Sequence, residues 1–203
     1  MRVLPDGCID IIWTEGAGTT VVGPNTTAFL VTLPAHTHVV GVRLRPGAAP
    51  PLLGVDGAAL RDVRAPLHEL WGDDAHRLSA RLDAAADRAG VLLAELAPRA
   101  AAAGAPDLLV QAAVARLRHG APVRALAGEL YVSERQLRRR VGTAVGYGPK
   151  RLARVLRLGR ALAAARSGEE LARVAADAGY ADQAHFAGDC RELAGVPPSA
   201  LLA

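Results

Sequence analysis

The chain is poor in most of the residues that announce chemistry. Among its 203 residues there are two cysteines, Cys8 and Cys190, far apart in sequence. That number excludes a disulfide framework, and the spacing is not that of a zinc ribbon. Aromatic residues make up 3%, and lysine occurs once, at Lys150. No apolar run approaches the ~18 residues of a membrane span. The opening Met-Arg-Val-Leu-Pro-Asp-Gly lacks the long apolar stretch of a signal peptide. These absences favour a reduced, cytoplasmic protein with no membrane partner. What is abundant is apolar: 51% of the residues, enough for one or two domains with real cores.

Charge is placed unevenly. Residues 1–104 carry 9 arginines against 11 acids, while residues 105–203 carry 15 basic residues against 9 acids. The use of arginine in place of lysine is what a G+C-rich genome would produce, so position rather than number carries the reading. The first 45 residues suggest strands at Cys8–Trp13, Thr19–Val22, Ala28–Leu33 and His38–Leu44, with Gly, Pro and Asn between them. Pro46, Gly47, Pro50 and Pro51 close this part. From Gly57 the spacing turns helical, through Leu78 and Leu82 and then Val91, Leu92 and Leu96. The Ala-rich stretch from Ala100 to Pro106 reads as a helix end and linker.

The last eighty or so residues hold a degenerate repeat. Leu137, Val141, Gly146, Pro149 and Leu152 recur 49 positions later as Phe186, Cys190, Gly195, Pro198 and Leu201. Val123, Leu126, Ala127 and Leu130 recur 48 positions later as Leu171, Val174, Ala175 and Ala178. The one-residue slip falls in a turn. Each copy reads as helix, tight turn, helix: a helix-turn-helix unit. Ser133 with Gln136 forms a capping box for a helix over 134–145, and Ser167 with Glu170 suggests a cap for a helix over 169–178. Between the units a long helix from Pro149 to about Arg166 sets an apolar stripe opposite Lys150, Arg151, Arg154, Arg157 and Arg160.

On the helix after Ser133, Leu137 and Val141 share the core face, and Arg135, Arg138 and Arg139 project from the opposite side. The DNA major groove admits one helix, and arginine bonds guanine O6 and N7 together. The expected base readers are therefore Arg135, Arg138 and Arg139, joined in the second unit by Gln183 and His185; Ser133, Arg140, Lys150 and Arg151 are expected at phosphates. The second face carries Asp182, Gly188 and Asp189, so the first unit is expected to supply most of the affinity. Two helices on one face of a duplex must sit about 34 Å apart.

Residues 106–203 resemble the DNA-binding domain of the AraC/XylS family of bacterial transcription regulators. The likeness rests on Leu126-Ala-Gly-Glu-Leu-Tyr-Val-Ser-Glu-Arg-Gln-Leu-Arg-Arg139, on Gly146-Tyr-Gly-Pro149 and on Arg157-Leu-Gly-Arg-Ala161. It rests most on Val174-Ala-Ala-Asp-Ala-Gly-Tyr-Ala-Asp-Gln-Ala-His-Phe186, followed by Gly195-Val-Pro-Pro-Ser199. The resemblance implies two helix-turn-helix units joined by a long helix, with base-reading positions at Arg135, Arg138 and Arg139 and at Gln183, Ala184, His185, Ala187 and Gly188. Three positions depart from the pattern: Val141 and Cys190 stand where phenylalanine is usual, and Gly188 where arginine is usual. Residues 1–100 resemble, through Leu4-Pro-Asp-Gly-Cys-Ile-Asp-Ile-Ile-Trp13, Gly41-Val-Arg-Leu-Arg-Pro-Gly47 and Leu70-Trp-Gly72, the cupin-like sensor half of a subgroup of these regulators, here starting late.

The fold expected is α+β. Residues 1–104 form a small β-rich, partly cupin-like sensor or dimerisation domain with a helical extension. Residues 105–203 form an all-α domain with units at about 122–145 and 168–194. The function implied is that of a sequence-specific DNA-binding transcription regulator, activator or repressor, and not an enzyme. Its partners are double-stranded DNA, with a small-molecule effector, RNA polymerase and a second copy of the chain as candidates, and no cofactor. Two alternatives stay open: a ligand-binding or dimerisation protein with weakened DNA binding, and a DNA-repair protein with such a module. The repair chemistry of relatives uses a four-cysteine zinc site, which two cysteines cannot build. A metal at Cys8, His36 and His38, acid–base work at Asp6 and Asp10, and redox sensing at Cys8 are weaker readings than loops and turns. Trp13 and Trp71 are expected to nucleate a core rather than to line a pocket.

Overall fold

The computed structural model describes residues 1–202. Its N-terminal half is built on a four-stranded antiparallel sheet. The strands are β2 (Ile9–Thr14), β3 (Gly18–Val22), β5 (Val39–Leu44) and β6 (Arg64–Pro66), in the order β5-β2-β3-β6. Two further short strands, β1 (Arg2–Val3) and β4 (Phe29–Leu30), pair apart from it. In β2 the residues alternate: Ile9, Ile11 and Trp13 are buried, while Asp10, Ile12 and Thr14 are half-buried. That two-residue period turns one face to the core. Two antiparallel-packed helices, α3 (Asp73–Ala84) and α4 (Arg88–Ala102), cover this face through Leu78, Leu82, Leu92 and Leu96. Each such side chain contributes about 1.5–3 kcal/mol over its exposed state. Trp13 is pinned as well as buried, its Nε1 donating to Asp83 Oδ1 at 2.9 Å.

The sheet is open, with β5 and β6 as its edges. Several expectations shift here. The 28–33 strand shrinks to Phe29–Leu30, and the 64–66 strand was hidden by its length and its proline. The Pro-rich segment is not a plain break, because α1 (Ala49–Leu53) begins there. Pro50 and Pro51 lie in its first turn, where a missing N–H does no harm. A short helix, α2 (His68–Trp71), follows β6.

The C-terminal half is helical: α5 (Leu108–Arg118), α6 (Val123–Glu129), α7 (Glu134–Val145), α8 (Pro149–Arg166), α9 (Leu171–Ala178), α10 (Gln183–Asp189) with a π-helical turn at Cys190–Ala194, and α11 (Pro198–Leu202). Val110, Leu126, Leu137, Val141, Leu152, Leu158, Val174, Phe186 and Cys190 belong to one buried cluster. Val141 and Cys190 are wholly buried, so the two smaller residues are accommodated within the core. Asp107 caps α5, accepting from the Leu109 and Val110 N–H groups. The expected Ser167 cap is not made: Glu170 starts α9 without a side-chain bond, and the Ser167 hydroxyl turns back to the Ala164 carbonyl at 2.7 Å, finishing α8.

The turns of the two units are alike in backbone and unlike in residue. Gly179 follows α9 with φ 85°, and Tyr131 follows α6 with φ 54°. A side chain in this left-handed region costs about 1–2 kcal/mol, which glycine avoids.

The halves meet closely. A Cβ on Gly57 would lie 2.6 Å from the Ala144 carbonyl oxygen, so only glycine permits this approach to the end of α7. Ala28 N–H donates to the Leu193 carbonyl and the Arg2 guanidinium to the Ala194 carbonyl, both at 2.7 Å. The last carbonyls of the π-helical turn after α10 are therefore satisfied by the opposite half of the molecule.

Candidate nucleic-acid interface

In the first unit the sequence fixes the helix start locally. The Ser133 hydroxyl accepts from Gln136 N–H at 3.2 Å, and the Gln136 side chain accepts from Ser133 N–H at 2.9 Å. Leu137 and Val141 then anchor α7, 3% and 0% exposed. Arg135, Arg138 and Arg139 are exposed, and among the described residues none of them has a hydrogen bond or an ion pair. Residues three and four apart are neighbours on a helix, so three guanidinium groups share one face.

A groove of about 840 Å³ runs between α6, α7 and the start of α8, lined in part by Arg124, Arg135, Arg138 and Lys150. Lys150 is exposed and unpaired among the described residues. Arg124, also exposed on α6, was missed from the sequence. Its signal was there: it stands in the first turn after Pro122, facing the same groove.

Three of the expected phosphate ligands have partners within the fold. The Ser133 hydroxyl is held inside its capping box, where it satisfies the helix backbone. Arg140 forms a two-bond fork with Asp107 at 2.7 and 2.5 Å, tying α7 to the cap of α5. The Arg140 fork, aided by the N–H groups of α5, holds the Asp107 carboxyl below its usual range. Arg151 turns inward, donating to the Thr26 carbonyl at 2.5 Å and lying 3.6 Å from Glu192. Charge alone did not reveal the partners of Arg140 and Arg151, because each lies far off in sequence.

The second unit is organised differently. Asp182 caps α10, accepting from His185 N–H at 2.7 Å. Gln183 is exposed on its first turn, with no partner among the described residues. The His185 ring is edge-on to Tyr180 at 5.0 Å, and its Nδ1 lies 3.4 Å from Ala181 N–H. Its Nε2 lies 3.4 Å from the Arg157 guanidinium, so both ring nitrogens face partners within the protein. Gly188 is exposed, and a Cβ there would meet nothing within 4 Å.

Asp189 is 3% exposed. It receives the Arg154 guanidinium at 2.6 Å and that of Arg157 at 2.9 Å, and Glu192 takes Arg154 as well. Burial alone would raise the Asp189 pKa, but the two guanidinium groups outweigh it and hold the carboxyl low. Arg160 donates to the Leu117 and Arg118 carbonyls, closing α5. The basic stripe on α8 is thus internal joinery; of its members only Lys150 is left free among the described residues.

The weaker sequence candidates resolve into structure. His36 sits in a turn and His38 lies just before β5, bonded to Glu15 at 3.1 Å, so the two are not a pair on a strand. Asp6 and Asp10 both bind Arg43, at 3.1 and 2.8 Å. Burial, helped by Asp6, pushes the Cys8 thiol up to about 12, far from a reactive thiolate at neutral pH. Among the described residues no group of three or more His, Cys, Asp and Glu gathers for a metal, and no helix is long and apolar enough to cross a membrane.

Comparison with known proteins gives the arrangement its class. Residues 126–203 match a family described as a helix-turn-helix domain, and residues 1–66 match a domain of unknown function, DUF6597. No protein of curated function matches the chain. Among solved structures, ToxT from Vibrio cholerae O395 is similar with a TM-score of 0.50 and 12% identity, over 99% of this chain and 92% of that one. An apo ToxT carrying a lysine-to-alanine change, from strain SCE256, is similar with a TM-score of 0.51 and 14% identity, over 99% of this chain and 90% of that one. At such identity the likeness is one of fold. The molecule is a DNA-binding protein of the helix-turn-helix class, with two units on one long helix. More narrowly, residues 126–203 belong to a helix-turn-helix domain family, and the fold that carries them is like that of ToxT.

Proposed function

We propose that this regulator reads a specific DNA sequence chiefly with α7, and that its N-terminal half governs the reading in response to a small molecule. One observation carries the first part: the exposed face of α7 holds three arginines with no partner among the described residues, whereas Arg151, Arg154, Arg157 and Arg160 of α8 are tied to carboxylates and carbonyls. Free guanidinium forks at helical spacing suit guanine edges, and Arg124 and Lys150 flank them where the groove walls would carry phosphates. Gln183 adds an adenine-type contact from the second unit. This is a binding function, exercised at the nucleoid, and no catalytic step is assigned to it.

Effector control is supported by the seam between the halves. A cleft of about 410 Å³ there is lined by Gly47, Pro50 and Pro51 on one side and Arg139, Arg140 and Thr143 on the other. One proposed base reader stands in its wall, so occupancy of the cleft and DNA binding are coupled through Arg139. A second copy of the chain and RNA polymerase complete the proposed set of partners. The units occur in tandem, so one chain can span two turns of duplex.

The test is a titration of wild type and Arg138→Ala against operator and random duplexes at several salt concentrations. Operator is first recovered by selection from random sequence. Loss of one bidentate arginine removes about 1–3 kcal/mol at one base pair and relaxes specificity there. Equal binding of both proteins to both duplexes overturns the assignment.

A further inference from the structure

We infer that Tyr131 is a DNA-contacting residue of the first unit, its ring packed on a deoxyribose and its hydroxyl donating to a phosphate at the rim of the groove that α7 enters. The inference rests on the proposed reading of α7 and extends it to the turn before that helix.

Three observations lead to it. The first is conformational. Tyr131 N–H donates to the Gly128 carbonyl at 3.1 Å and Val132 N–H to that of Ala127 at 3.0 Å. In the second unit Gly179 N–H donates to the Ala176 carbonyl at 3.0 Å and Tyr180 N–H to that of Ala175 at 2.9 Å. The two turns are thus built alike, and both require positive φ at this position, 54° at Tyr131 and 85° at Gly179. The second unit meets the requirement with glycine; the first holds a bulky aromatic there against its backbone preference.

The second is the lack of compensation inside the fold. Tyr131 is 95% exposed, the most exposed of the large apolar side chains among the described residues. Its ring stacks on no other ring, and its hydroxyl has no bond among the described residues. By contrast Tyr147 and Tyr180 are each 5% exposed. A residue held in an unfavourable conformation without packing in return points to a partner.

The third is position. Tyr131 stands two positions before Ser133, which caps α7, so the turn lies within about 7 Å of chain from the start of that helix. Arg135 follows within one helical turn. These cations draw a polyanion to this surface. A phenol offers a flat apolar face for a sugar and a donor for a phosphate oxygen, which is the sort of contact that sets register without reading bases.

The experiment compares Tyr131→Gly, Tyr131→Phe and Arg138→Ala with wild type in the full chain, by DNA titration on selected operator at several salt concentrations and by thermal unfolding. Tyr131→Gly is expected to unfold at a higher temperature, because the strain is relieved, and yet to bind operator about 5-fold more weakly, the loss of one net hydrogen bond with its packing. Tyr131→Phe is expected to lose about 2- to 3-fold. Since the contact is uncharged, the slope of log affinity against log salt stays as in wild type, whereas Lys150→Ala lowers it by about 0.9. Tyr131→Gly binding as tightly as wild type, while Arg138→Ala binds less, overturns the inference and leaves the reading of α7 standing. Full DNA affinity combined with lost transcription assigns Tyr131 to a protein partner and also overturns it. Arg138→Ala binding like wild type removes the reading beneath it.

Discussion

The two helix-turn-helix units share a backbone plan and differ in what their polar residues are doing. In the first, Ser133 and Gln136 settle the helix start between themselves, and Arg135, Arg138 and Arg139 are left with nothing to hold among the described residues. In the second, His185 leans on Tyr180, and Asp189 is buried between Arg154 and Arg157. The residue that would meet DNA at Gly188 has no side chain. One copy has kept its charge available outside, and the other has turned charge inward to fasten itself to the connecting helix. The lesson is that a repeat can divide its labour, with one unit built to engage and one built to be held.

The comparison can be broken first at Asp189. Removing a buried carboxylate that pairs two guanidinium groups leaves those groups without partners. Because Arg154 and Arg157 reach solvent in part, Asp189→Ala is expected to cost about 2–3 kcal/mol, seen as a lower midpoint in urea unfolding. An unchanged midpoint would remove the fastening role. The next effect is on affinity. Arg138→Ala is expected to lose about 1–3 kcal/mol of operator binding and Gln183→Ala less than about 1 kcal/mol. Losses of equal size would show that the second unit reads as strongly as the first.

Gly188→Arg sharpens the comparison from the other side. The site is open, so the side chain fits without displacing anything, and it adds a cation to the depleted face. Operator affinity should rise at low salt, with a log–log salt slope steeper by about 0.9. The helix itself gains about 0.8 kcal/mol from losing a glycine. A slope equal to that of wild type would mean that this face never approaches DNA.

The smallest effect is expected in acid. Asp107 and Asp189 both titrate below the ordinary carboxylate value of 3.8, through Arg140 in one case and through Arg154 and Arg157 against burial in the other. A carboxyl depressed on folding lends stability that is complete above 3.8 and is lost as pH falls through the folded value. The thermal midpoint should therefore hold steady at neutral pH and decline below about pH 4, with a shallower decline in Asp107→Asn. A decline of equal steepness in the variant would show that the Asp107–Arg140 fork contributes little.

The parts legible beforehand were those written in short-range chemistry. The capping box needs only Ser133 and Gln136, three residues apart. The core face of α7 follows from Leu137 and Val141 at one turn. The alternation of Ile9, Ile11 and Trp13 marks a half-buried strand within six residues. The repeat itself announces the two units. What escaped were outcomes of competition between distant partners. Arg140 and Asp107 lie 33 positions apart, and Arg154 and Asp189 lie 35 apart. Periodicity tells which face a guanidinium leaves by, and not which carboxylate waits across the interior. The cap at Ser167 failed for a related reason: a serine at a helix junction can serve either neighbour, and here the hydroxyl goes backward to Ala164. Strands as short as Phe29–Leu30 and Arg64–Pro66 carry too few residues to show a period.

Because Arg2 and Ala28 reach across to the carbonyls of Ala194 and Leu193, the molecule is laced tail to head. A cut at the linker would do more than separate two bodies; it would unfasten the end of α10's π-helical turn and let it fray. The first thirty residues therefore act as a hem on the second helix-turn-helix unit.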